Sequence, residues 1–104
     1  MELNLDPDKF NEYQTLFIKE IIETIRLKLI EAGLEGEDLH NATASIGMSV
    51  AAIIDSMADI ETEDGEQVKP YLAFQESEDA LLHLGENSYT YERSYNVLRT
   101  LFKV

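Results

Sequence analysis

Large apolar side chains recur at steps of three and four between Asp38 and Ile60: Leu39, Ala42, Ile46, Val50, Ile53, Met57 and Ile60. That spacing predicts a helix over 38–60 with one bulky stripe turned to the core. Ala44, Gly47, Ala51 and Ala58 form a shoulder of small residues beside the stripe, where a second element can approach closely. Charge is absent from 39–54, but 16 positions fall short of a membrane span, and Asn41, Thr43, Ser45 and Ser49 interrupt them. A core helix is the reading.

A longer apolar pattern precedes it. Asp6-Pro7 reads as N-cap and first helical position, and Gly33 as the stop after Ala32. The resulting helix of 26 residues is about 39 Å long, against about 34 Å for the width of a domain this size. Phe10, Tyr13, Phe17, Ile18, Ile21, Ile22, Ile25 and Leu29 make its core face. A thinner stripe of Leu16, Leu27 and Ile30 lies nearly opposite, with Glu20 and Glu23 among it. The short loop Gly33–Glu37 returns the chain antiparallel, with Asp38 as the next N-cap.

Beyond the central helix the period changes. Residues 61–67, ETEDGEQ, read as an exposed, mobile acidic loop. Residues 68–77 and 80–84 read as two strands of an antiparallel hairpin turning at Glu78-Asp79, although SEDALLHLG also has the cap and glycine stop of a short helix. Asn87 or Ser88 then caps a helix over 89–103, with Tyr91, Tyr95, Leu98 and Phe102 as a buried stripe and Arg99 and Lys103 suiting its C-terminal end. The expected fold is mostly helical α+β in a single domain, 1–104: a long αα-hairpin, a small antiparallel β-hairpin and a C-terminal helix.

Composition narrows the function classes. The net charge is −13, from 21 acids and 8 bases, which disfavours nucleic acid as a partner. No Lys or Arg falls between Lys28 and Lys69, and ten acids do. Without cysteine there is no disulfide, thiolate catalyst or Cys-based zinc site. The opening MELNLDPDKF has neither a basic nor an apolar signal region, so a cytoplasmic setting is expected and the Asn41-Ala42-Thr43 sequon is silent.

Catalytic motifs fail on inspection. With Gly65 at the sixth place of an EF-hand loop, Ile60 and Tyr71 occupy the first and twelfth, where acids are needed. Ser45-Ile46-Gly47-Met48-Ser49 inverts the Gly-Ser-Gly order of a nucleophile elbow. His40 and His83 are 43 residues apart, with no spacing that joins them in a site. No cofactor or metal is expected.

The leading expectation is a protein-interaction domain that forms a homodimer through Leu16, Leu27 and Ile30, with Lys19 and Arg26 near the flanking acids. An immunity- or inhibitor-type protein meeting a basic partner through Glu61, Glu63, Asp64 and Glu66 is one version. A small-ligand domain with an aromatic pocket of Tyr71, Phe74, Tyr89 and Tyr91 between hairpin and helices is the alternative, and an enzyme using His40 or His83 the least favoured.

Overall fold

A computed structural model describes residues 1–102. The order is β1 (Glu2–Leu5), α1 (Pro7–Glu31), α2 (Gly36–Ile54), β2 (Phe74–Ser77), β3 (Ala80–His83) and α3 (Thr90–Phe102). The fold is the expected mostly helical α+β arrangement, with one addition. Residues 2–5, which show no strand signal in so short a run, pair in parallel with β3, so the β2–β3 hairpin becomes a three-stranded sheet of order β1-β3-β2.

The long helix forms as its signals predict. The Asp6 side chain accepts from the Lys9 N–H at 3.2 Å, and Pro7 follows it. At the other end Gly33 takes φ 96°, while its N–H reaches Ile30 O and the Leu34 N–H reaches Leu29 O. Those paired reverse bonds close the helix in a Schellman motif.

The second helix is shifted at both ends. Leu39 N–H bonds Glu35 O, which closes the first turn ahead of Asp38 and makes Asp38 a first-turn residue rather than the cap. It ends at Ile54, short of the predicted Ile60, because Ser56 enters the left-handed region at φ 64°. The same pair of bonds then forms, Ser56 N–H to Ile53 O and Met57 N–H to Ala52 O. Ser56 thus does what Gly33 does, at a steric cost for a side-chain-bearing residue. Its hydroxyl offsets that cost by donating to Pro70 O at 2.8 Å and accepting from Asn87 Nδ2 at 3.0 Å.

α2 also presents a different face from the one its bulk suggests. Thr43, Gly47 and Ala51 are buried, whereas Ile46, Ile53 and Met57 are 41, 47 and 63 % exposed. The small shoulder is the packing face because α1 and α3 both press close there. A Cβ on Gly47 would stand 3.4 Å from Ile22 Cγ1. From α3, Thr90 and Ser94 face the same seam. The central cluster is Ile18, Ile22, Val97 and Leu98, with Ala44, Met48 and Leu101 around it.

α3 is rotated in the same sense. Its buried residues are Thr90, Ser94, Val97 and Leu98, and the expected core tyrosines Tyr91 and Tyr95 are exposed. The side chain of Phe102, and Lys103, lie outside the described residues.

The sheet packs on the first turns of α1 through Phe74, whose ring lies 5.2 Å from Phe10 and 5.8 Å from both Tyr13 and Phe17. β2 begins at Phe74 rather than Val68, since 68–73 finds no ladder partner and contains Pro70. β1 is fixed from the side: Asn4 Nδ2 and Lys9 Nζ both bond the Glu76 carboxylate, at 2.7 and 2.5 Å.

Candidate functional site

The hairpin of α1 and α2 carries apolar surface on the side away from α3. At 100° per residue, Ala44 and Met48 lie on one side of the Thr43–Gly47–Ala51 line and Ile46, Val50 and Ile53 on the other. Ala44 and Met48 face α3, so the bulky stripe faces the opposite way. Beside it on α1, Ile25 is half-buried, whereas Phe17 packs on Phe74 of β2 and Ile21 borders the seam with Thr90 and Ser94. No charged residue interrupts α2 from Leu39 to Ile54. The α1 residues expected to bind a second copy, Leu16, Leu27 and Ile30, are also exposed, but between them lie Lys19, Glu20, Glu23 and Arg26, of which Glu23 and Arg26 pair at 3.8 Å.

Between α2 and α3 runs a groove in two compartments. His40, Ala44, Met48, Tyr95, Leu98 and Arg99 line about 410 Å³ of it. Met48, Tyr91, Glu92, Tyr95 and Asn96 line the adjoining 460 Å³. Arg99 lies over the Tyr95 ring at 5.8 Å, so one end of the groove carries a cation on an aromatic face and the other a carboxylate.

The four aromatics expected to share a pocket are placed apart. Phe74 is in the core against α1. The Tyr71 hydroxyl meets His83 Nδ1 at 3.1 Å, where the Gly85 N–H also arrives at 3.2 Å, so this histidine braces the end of β3. Tyr89 donates to Glu86 at 2.6 Å, a bond that raises its phenol above the ordinary value. Tyr91 alone of the four lines the α2–α3 groove.

Glu61, Glu63, Asp64 and Glu66 are exposed, as an acidic loop is expected to be. Their loop is more ordered than its composition suggests. Glu61 bridges Gln67 in the backbone, Val68 N–H bonds Ile60 O at 2.7 Å, and Thr62 accepts from Gly65 and Glu66. Among the described residues no group of three or more His, Asp or Glu is placed to hold a metal ion.

A polar junction that sequence reasoning overlooked ties the helices together. Asp55, just past α2, accepts from Ser88 Oγ at 2.6 Å, Thr90 N–H at 3.0 Å and Tyr91 N–H at 2.7 Å. It is therefore the N-cap of α3 supplied from a distant segment, in place of Asn87 or Ser88. Buried Gln14 on α1 accepts from the Tyr89 N–H at 3.0 Å. The available signal was charge placement: a carboxylate at the C-terminal end of its own helix is unfavourable unless it faces a positive helix end elsewhere.

No helix among the described residues is long and apolar enough to cross a membrane. Comparison with protein-family models, curated proteins and solved structures finds no match to this chain.

Proposed function

We propose that this chain is a small acidic cytoplasmic interaction domain that works by binding, as a homodimer, rather than by catalysis. One observation carries the reading: the uncharged stretch of α2 from Leu39 to Ile54 buries Thr43, Gly47 and Ala51 and leaves Ile46 and Ile53 exposed. Burial of apolar surface drives folding at about 25 cal/mol per Å², and a chain that leaves this much of it outside a thin core is built to cover it by association. The shape agrees. The radius of gyration is 15.6 Å, against about 13 Å for a compact domain of this length. The shortest dimension is 22 Å, little more than two layers of helix.

Light scattering on a sizing column tests it. At tens of micromolar protein the expected mass is twice the chain's 11.8 kDa. A single-chain mass throughout that range refutes the homodimer.

The α2–α3 groove supports a second reading, a small-ligand domain. Its two compartments, about 410 and 460 Å³, match the usual size of ligand sites, and Met48, Tyr91 and Tyr95 give them an apolar, aromatic lining. A thermal-shift screen with aromatic carboxylates and amines tests this reading, and no shift for any of them counts against it.

A further inference from the structure

We infer that the homodimer forms through the face of the α1–α2 hairpin opposite α3, centred on Ile46, Val50 and Ile53 of α2, and not through Leu16, Leu27 and Ile30. The inference rests on the homodimer reading and specifies its interface.

Charge selects the face. Two copies at −13 each repel over most of their surfaces. They can approach closely where charge is absent, and α2 from Leu39 to Ile54 is the long helical stretch that meets this condition. The α1 stripe does not meet it, since Glu20, Glu23, Lys19 and Arg26 share its surface. A basic partner would be drawn instead to the acids at the two ends of the hairpin, so the uncharged middle fits a second copy better than a cationic protein.

Shape agrees with charge. The exposed isoleucines are flanked on the outer side by small residues, Ala42 and Ser49, and by half-buried Val50 on the inner side. Large and small positions along one stripe give the ridges and grooves that two helices need to interlock. A twofold axis applies the stripe to itself, so each isoleucine meets the partner's small positions. α2 has 19 residues and is about 28 Å long, and the face widens to about 18 Å only beside the later turns of α1, because the sheet packs on the first ones. That is on the order of 400 Å² per copy and about 800 Å² in all, the size of a weak, transient contact rather than a permanent one.

The ends of the helix add a signature. Glu37 and Asp38 stand at its start and Asp59 beyond its end, so the rim of the contact is acidic in both copies. Salt screens that repulsion, and self-association tightens as salt rises. Binding of a basic protein would weaken instead.

The test is sedimentation or light scattering of wild type, Ile53→Glu and Leu27→Glu, with helix content checked by circular dichroism. A dimeric wild type, a folded monomeric Ile53→Glu and a dimeric Leu27→Glu support the inference. A dimeric Ile53→Glu with a monomeric Leu27→Glu overturns it and leaves the homodimer standing. A monomeric wild type overturns both. Should Ile53→Glu fail to fold, Ile46→Lys on the same exposed stripe decides: a folded monomer supports the inference and a dimer overturns it. Between about 0.05 and about 0.5 M salt, the dimer dissociation constant should fall at least about threefold. A rise over that range overturns the assignment.

Discussion

Replacing Asp55 by alanine should be among the most damaging single changes outside the apolar core. The carboxylate receives three hydrogen bonds at the start of α3, from Ser88, Thr90 and Tyr91. A bond to a charged acceptor contributes about 1.5–3 kcal/mol, and an N-cap alone about 1 kcal/mol. The three are not additive. Tyr91 is exposed, so its N–H regains water. Thr90 is buried, so its N–H is left unpaired. Removing a negative charge from the C-terminal end of α2 returns about 0.5 kcal/mol. The net loss is about 3 kcal/mol, which for a domain of this size lowers the melting temperature by about 15 °C. Asp55→Asn keeps one acceptor oxygen for Ser88 and Thr90 but turns an amide N–H toward Tyr91. It should lose about half as much, about 8 °C. Thermal unfolding followed by circular dichroism measures both, at one fixed protein concentration. An Asp55→Ala protein melting within about 2 °C of wild type would refute the cap as an organising contact.

The close approach at Gly47 makes opposite predictions for two substitutions. A Cβ there meets Ile22 Cγ1 at an ordinary 3.4 Å, so Gly47→Ala should raise stability by up to about 1 kcal/mol through helix propensity. Gly47→Leu should lower it by about 1–3 kcal/mol through overpacking, and urea midpoints that fail to move in opposite directions contradict the packing. Acid should expose the role of Glu76. Its hydrogen bond from Lys9, with a second from Asn4, holds the Glu76 carboxyl below the ordinary value of 4.5, and the same pairing raises Lys9 above 10.5. A depressed carboxyl stabilises the fold above its unfolded pKa and loses that effect as pH falls through its folded one. A raised ammonium stabilises below its unfolded pKa and loses that effect as pH rises through its folded one. Glu76→Gln should therefore be less stable than wild type at neutral pH and converge with it as pH falls below 4.5 and through the depressed folded pKa, and a gap independent of pH would exclude the linkage.

What was legible in the sequence was the signalling of ends by proline and glycine. Asp6-Pro7 and Gly33 delimit α1 as expected. Where serine takes the glycine role, at Ser56, the predicted helix runs on through Ile60. Periodicity correctly identified α2 as helical, but bulk misidentified its packing face. Apolar size marks what a face is able to bury, whereas close helix contact selects Thr43, Gly47 and Ala51 because they are small. The same logic turned Tyr91 and Tyr95 outward on α3 in favour of Thr90 and Ser94. The parallel partner of β1 was invisible because four residues carry too little pattern, and their register with β3 is set by contacts far along the chain. The Asp55 junction was missed for a related reason: caps are sought in the preceding residues, and this one arrives from 35 positions away.

The distance along the chain between partners has a consequence for biosynthesis. Glu2 pairs with Ala80, and Gln14 with Tyr89 across 75 positions, so both the sheet and the cover over the helical hairpin wait for the last quarter of the chain. A ribosome adding about 5–20 residues per second takes about 2–10 s to go from the end of α2 to the end of α3. During that interval α1 and α2 are complete and have neither Leu82 nor Val97 to pack against. The nascent hairpin is then bare on both faces, and non-local closure of this kind is slow in itself. Translation speed from the end of α2 to the end of α3 sets how long the hairpin stays uncovered.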